Sequence, residues 1–338
     1  MADNKTKLTF KDFKSKGDVK WCPGCGDHAI LVSVQKAMAD MNYKHEKFVS
    51  ISGIGCSSRF PFYVNTYGFH TIHGRAGAIA SGAKVANPRL SVWQITGDGD
   101  SLAIGGNHFI HEIRRNMDIN IIMFNNQIYG LTKGQYSPTS PKGQVSVTSP
   151  YGTVEKPFQA GALVIGARGT FFARSMDNKV NLTAEVLEEA AKHDGASVVE
   201  VLQNCVIYNN GAHAYFSDKE HKEDRQLILH DGEPMIFGKE RDKGLILDDS
   251  KLKVVKIGED GITKDDILIH NAGLEYSGIH LMLATMEPPF PIALGVIRNV
   301  DDYTYANELA QQIKDVQAES KIKCVDDLLL SGKTWEVK

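Results

Sequence analysis

Cysteine is scarce, with five in 338 residues. An odd, low count in a chain this long argues against a disulfide scaffold and leaves the thiols for metal or redox chemistry. No apolar run reaches the roughly 18 residues that a membrane-spanning helix needs. The stretch from Met1 to Lys20 is polar and lysine-rich, without the apolar core of a secretion signal. Basic residues form no long block and the net charge is −3, which argues against nucleic acid as the main partner. No internal repeat or low-complexity tract is present. A cytoplasmic protein without membrane association is expected. Apolar residues at 42% and charged residues at 23% are ordinary for a globular chain long enough to bury a full core.

Short β-rich runs each end in a glycine-rich or polar turn. Phe48–Ser52 precedes Gly53-Ile54-Gly55-Cys56-Ser57-Ser58, and residues 69–73 precede Gly74-Arg75-Ala76-Gly77. Residues 91–96 precede Gly97-Asp98-Gly99-Asp100, residues 119–124 precede Asn125-Asn126, and residues 197–202 lead to Cys205. Helical patterns fall between them, over 27–41, 77–86, 105–116 and 183–193. This alternation predicts an α/β fold, a parallel sheet with helices on both faces. In such sheets ligands bind beyond the carboxyl ends of the strands, where every one of these turns lies. Residues 1–215 are expected to form this domain and 216–338 a C-terminal extension serving as interface or cap. Residues 138–159 read as loop, 217–225 as a solvated charge run, and 303–317 as an amphipathic helix.

Gly97 and Gly99 let backbone come close to a phosphate, and the helix after them directs N–H groups at the same anion. Asp100 is expected to help seat that phosphate. Asp98 offers a hard carboxylate oxygen. Asn126, 28 residues later at the next strand end, adds a side-chain carbonyl, and Ile128 a backbone one. With two diphosphate oxygens these make an octahedral Mg²⁺ site.

Four cysteines suit one sulfur site. Cys22 and Cys25 lie in a Gly/Pro turn just before a helix, and Cys56 and Cys205 follow strand ends. Four thiolates suit either zinc or an iron–sulfur cluster, and spacing alone does not choose between them. Cys324 reads as a buried small apolar residue in a helical stretch.

The Gly97-Asp98-Gly99 to Asn125-Asn126 arrangement resembles the thiamine diphosphate motif. Over most of the first 215 residues the chain resembles the β subunit of 2-oxoacid:ferredoxin oxidoreductases. The resemblance is carried also by Trp21-Cys22-Pro23-Gly24-Cys25-Gly26, Gly53-Ile54-Gly55-Cys56-Ser57-Ser58, His73-Gly74-Arg75-Ala76 and Tyr129-Gly130-Leu131-Thr132-Lys133-Gly134-Gln135. It implies a thiamine diphosphate-binding fold and oxidative decarboxylation of a 2-oxoacid with coenzyme A, with electrons passed to ferredoxin. It also implies thiamine diphosphate, Mg²⁺ and a [4Fe-4S] cluster on Cys22, Cys25, Cys56 and Cys205, and places His73 and Gly74 against the cofactor.

Cys56 and Ser57 are expected at the cofactor, Ser57 offering its hydroxyl to diphosphate or substrate; Ser58 fits an ordinary turn nearly as well. Pyruvate-specific members of the family carry glycine where this chain has Lys133, so Lys133 is expected to pair with the distal carboxylate of 2-oxoglutarate. Arg59 is a second candidate for that carboxylate or the diphosphate. No glutamate is assignable to the aminopyrimidine: Glu112 should sit on a helix beyond the phosphates. The resemblance implies that a partner α subunit supplies the activating glutamate, in an α2β2 heteromer whose interface includes the 138–159 loop. The competing readings are pyruvate or a branched 2-oxoacid as substrate, a non-redox thiamine diphosphate decarboxylase or carboligase with structural zinc, and a non-catalytic zinc-binding subunit.

Overall fold

Apolar residues alternate in phase along the central strands, and this builds one sheet with a core on each face. In β4 (Ile119–Asn125), Ile119, Ile121 and Met123 enter one core while Ile122 and Phe124 enter the other. The structure, a computed structural model, describes residues 8–337; the lysine-rich start expected over 1–20 is therefore described only from Leu8 onward. The other strands are β1 (Phe48–Ser52), β2 (Tyr67–His70), β3 (Ser91–Gly97), β5 (Phe171–Met176), β6 (Ala196–Leu202), β7 (Gln226–Ile228), β8 (Ile236–Phe237), β9 (Lys243–Asp248), β10 (Lys251–Lys256) and β11 (Ile292–Asn299). Eight of them form one sheet in the order β2-β1-β3-β4-β6-β5-β11-β7, and β10-β9-β8 form a small antiparallel sheet.

The run from β2 to β5 is parallel throughout, and β11 joins β5 antiparallel. Strands β1, β4, β5 and β6 are buried at every position, as a sheet covered on both faces requires. The helices are α1 (Asp27–Asp40), α2 (Ala76–Ala86), α3 (Gly106–Arg114), α4 (Ala160–Gly166), α5 (Val180–Lys192), α6 (Ala214–Ser217), α7 (Lys222–Arg225), α8 (Gly278–Ala284), α9 (Tyr305–Glu319) and α10 (Val325–Leu330). Helices α1 and α5 enter one core through Ile30, Val34, Val186 and Leu187. Helices α2, α3 and α4 enter the other through Ala80, Phe109, Ile113 and Val164. No helix among the described residues is long and apolar enough to cross a membrane.

Four features depart from the sequence expectations. β2 ends at His70, so His73 lies in the turn beyond it rather than on the strand. The phosphate-side helix opens with a widened turn, Asp100–Ile104, closed by Gly105 N–H to the Asp100 carbonyl at 3.1 Å, before α3 begins. Cys324 is exposed at the N-cap of α10, because that helix packs none of its residues into the body. Strands β7 and β11, both beyond residue 215, are hydrogen-bonded into the main sheet, so the expected extension supplies the sheet's far end.

Candidate active site on the carboxyl ends of the strands

Asp98 is buried at the end of β3. Its Oδ2 accepts hydrogen bonds from the Ser137 and Thr139 hydroxyls, which the loop after β4 brings back over the motif. Burial pushes the Asp98 carboxyl up to about 6, opposed by those two donors. Thr139 Oγ1 also lies 2.9 Å from Asn125 Oδ1, and the Asn125 amide donates to Glu200 at 2.7 Å. Glu200 is paired with Arg174 at 2.7 Å. A buried polar chain therefore runs from the middle of the sheet to Asp98. Gln127 takes a left-handed backbone (φ 56°), and the Asn126 side chain accepts the Ile128 N–H at 3.2 Å. Together these fold residues 126–128 into a tight turn beside Asp98.

Asp100 has a different role from the one expected of it. Its Oδ1 accepts from Ile54 N–H at 3.0 Å, Gly74 N–H at 2.7 Å and His73 Nδ1 at 2.7 Å, and its Oδ2 from Thr96 at 2.8 Å. The carboxylate is thus turned inward, tying three strand-end turns together. Gly53 and Gly74 are required by this knot. A side chain at Gly53 would overlap the Asp100 carboxylate, and one at Gly74 (φ 69°) would meet the Gly105 nitrogen at 2.5 Å. The Tyr129 hydroxyl donates to the Gly99 carbonyl at 2.9 Å, its ring filling the space that a Gly99 side chain would take.

These residues surround a cavity of about 140 Å³, lined by Ser57, His73, Gly97, Asp98, Asn126, Ile128 and Tyr129 among others. A second cavity, of about 220 Å³, is lined by Cys22, Cys25, Cys56 and Cys205 together with Lys20, Arg59 and Gln203. Cys56, Asn126, Gly130 and Leu131 belong to both walls. Gly130 packs against the sulfurs: an added Cβ would lie 3.4 Å from Cys205 Sγ and 3.6 Å from Cys56 Sγ. The four thiols share the cavity, while no three His, Cys, Asp or Glu among the described residues converge on a single ion. Burial pushes the Cys25 thiol up and that of Cys56 to about 12. Such thiols become thiolates when metal charge shares the cavity. Asp27, buried beside Cys25, is pushed by burial to about 7.

Arg59 lies at the cysteine cavity and donates to the Tyr63 hydroxyl at 3.1 Å. Lys133 is exposed and held at φ 77°, next to Thr132 in the wall of the smaller cavity. Glu112 is buried on α3 and accepts from Gln94 at 2.9 Å. Ser137, Thr139, Tyr129 and Gln203 are site residues that sequence reasoning passed over. Tyr129 opened a motif already singled out, and the hydroxyl-rich Ser137-Pro138-Thr139-Ser140 turn soon after Asn125-Asn126 was the signal available for Ser137 and Thr139.

Residues 53–201 match the family described as thiamine pyrophosphate enzyme, C-terminal TPP binding domain. The chain is 43% identical over 331 residues to the 2-oxoglutarate oxidoreductase subunit KorB of Mycobacterium tuberculosis, covering 97% of this chain and 88% of that one. It is 45% identical over 190 residues to the 2-oxoacid:ferredoxin oxidoreductase 1 subunit beta of Aeropyrum pernix, covering 56% and 60%. Among solved structures, it resembles the 2-oxoglutarate:ferredoxin oxidoreductase of Magnetococcus marinus, solved with 2-oxoglutarate, coenzyme A and succinyl-CoA bound. That match has a TM-score of 0.77 and 31% identity, and covers 97% of each chain.

Proposed function

The chain belongs to the β-subunit family of the 2-oxoacid:ferredoxin oxidoreductases, and we propose that with a partner chain it converts 2-oxoglutarate and coenzyme A to succinyl-CoA and CO₂, passing electrons to ferredoxin. The observation that carries this reading is the wall shared by the two cavities, with Cys56 and Gly130 in both. An electron released on one side has a short path to the other.

The residues fit both groups. Gly97, Gly99 and Ser57 would face the diphosphate, and Asp98, Asn126 and the Ile128 carbonyl would hold Mg²⁺. Cys22, Cys25, Cys56 and Cys205 would hold a [4Fe-4S] cluster, whose four thiolates match the four thiols lining one cavity. Thiamine diphosphate supplies the carbon nucleophile and electron sink for decarboxylation, and the cluster accepts electrons singly. His73, oriented by Asp100, would bind at the reacting end, with Gly74 behind it packed against Gly105 and bonded to the same carboxylate. Lys133 would recognise the distal carboxylate of the substrate. Arg59, beside Cys56, suits the negative charge of a cluster better than a substrate.

The smaller cavity falls below the roughly 300–1,000 Å³ of a complete ligand pocket, and no glutamate is among the described residues lining it. A partner chain would complete it and bring the activating carboxylate. Exposed Val147, Tyr151 and Val154 on the 138–159 loop fit a surface that such a chain covers.

Iron, acid-labile sulfide and zinc per chain, measured on protein purified without oxygen, test the reading. About four iron and four sulfide are expected, the content of one such cluster. Near-stoichiometric zinc without iron would overturn it in favour of a non-redox thiamine enzyme or a structural subunit.

A further inference from the structure

Gln203 directly follows β6 and is fully buried in the wall of the cysteine cavity. Its backbone N–H donates to the Asn125 carbonyl at 2.9 Å, which anchors it to the metal-motif strand. Its side-chain amide makes two contacts from Nε2: the Asn204 carbonyl at 2.6 Å and Cys25 Sγ at 3.3 Å. A carbonyl oxygen can only accept, so the contact to Asn204 fixes which end of the amide is the nitrogen. The two amide hydrogens are then assigned, one to the backbone and one to the sulfur. The Asn204 carbonyl also accepts from Gly26 N–H at 3.2 Å, so the amide is held between the Cys22–Cys25 turn and the approach to Cys205. Gln203 Oε1 is buried without a hydrogen-bond partner among the described residues. Leaving a buried carbonyl oxygen unpartnered is unfavourable. A leucine would fill the same space without that cost.

We infer that Gln203 is a positioning residue that sets the reduction potential of the cluster through its N–H···S bond to Cys25. This rests on the four-cysteine cluster reading above. A cluster on four thiolates gains negative charge on reduction, and a donor aimed at a ligand sulfur stabilises the reduced form more than the oxidised one. Gln203 itself exchanges no electron; it raises the potential at which the cluster takes one.

The test is an EPR-monitored redox titration of the anaerobically purified complex with its partner. The signal followed is the one absent from Cys205→Ala protein, and iron and sulfide are assayed in parallel. Gln203→Leu removes the donor, and Gln203→Glu keeps the size but offers acceptors. The midpoint potential should fall in Gln203→Leu and fall further in Gln203→Glu, at undiminished iron and sulfide. An unchanged midpoint in variants that keep the cluster would overturn the inference and leave the cluster reading intact. If Gln203→Leu loses the cluster, the isosteric Gln203→Glu decides; loss in both would mean that the residue holds the site together and tunes nothing. Wild-type protein without iron would overturn the cluster reading, and this inference with it.

Discussion

His73 Nδ1 lies 2.7 Å from Asp100 Oδ1, and the same oxygen also accepts the backbone N–H of Gly74 and of Ile54. One buried carboxylate therefore orients the imidazole and fixes the turns on either side of it. With Nδ1 donating to Asp100, Nε2 is the nitrogen available to a ligand. Asp100→Asn keeps an oxygen for the backbone donors, and Thr96 Oγ1 can accept from the new amide, so the fold should survive. The charge-assisted bond to His73 is lost. A drop in kcat of at least about tenfold, about 1.4 kcal/mol, is expected with little change in Tm. Full kcat in this variant would show that His73 needs no such orientation. Asp100→Ala takes the acceptor from the Ile54 and Gly74 N–H groups at about 1–3 kcal/mol each and should be visibly destabilised in urea titrations.

The Ser137 and Thr139 hydroxyls both bond Oδ2 of Asp98, so in the proposed site Oδ1 would be the oxygen offered to Mg²⁺. Partners of this kind typically account for about 10–100-fold in metal affinity. Thr139→Val keeps the shape and removes the donor. It should weaken Mg²⁺ binding in the presence of thiamine diphosphate by that factor, read from the Mg²⁺ dependence of Tm. Thr139→Ser should restore most of it. Equal affinity in the valine variant would confine Thr139 to loop closure.

Lys133 is held at φ 77°, where glycine is unstrained and a lysine costs about 1 kcal/mol. Selection for stability alone would favour glycine there. Lys133→Gly should therefore raise Tm slightly while raising KM for 2-oxoglutarate at least about tenfold, the effect of losing about 1.4 kcal/mol of ion pairing. Unchanged kinetics with 2-oxoglutarate would remove Lys133 from substrate recognition.

The strands that carry the motifs were legible because each apolar run stops at a glycine or asparagine turn, as at Ser52-Gly53 and Phe124-Asn125-Asn126. The cysteines were legible as a set because chemistry limits what four unpaired thiols, two in the turn before α1 and two after strand ends, can do. Strand β5 was not legible: Arg174 and Ser175 interrupt its apolar pattern, and both are buried only because Glu200 and Thr183 answer them across the fold. Ser137, Thr139 and Gln203 were hidden for a related reason. A hydroxyl or amide has no periodicity, and its role appears only when a loop returns to Asp98 from 39 residues away, or Gln203 meets Cys25 across 178. Asp100 was expected to help seat a phosphate, but the donors that hold its carboxylate come from the β1, β2 and β3 ends together, which spacing along the chain does not reveal.

Glu112 packs against Gly77 of α2 and Gln94 of β3, and the Asp100 carboxylate acts on it through space. Burial first, and Asp100 second, push its carboxyl up to about 8 against the Gln94 hydrogen bond. In the native protein the group is therefore protonated over a range where the unfolded chain, with an ordinary carboxyl near 4.5, is ionised. The native state then binds the extra proton, so stability falls as pH rises from about 4.5 to about 8 and is level beyond. Glu112→Gln keeps the size and holds a neutral group at every pH. It should be roughly neutral in stability at pH 5 and stabilising by a few kcal/mol at pH 8.5, since a tenfold change in proton affinity between folded and unfolded chains is worth about 1.36 kcal/mol. Urea unfolding of both proteins across pH 5–9 measures this directly. Parallel curves, with no divergence on the alkaline side, would mean that Glu112 is ionised in the native protein and that another group compensates its charge.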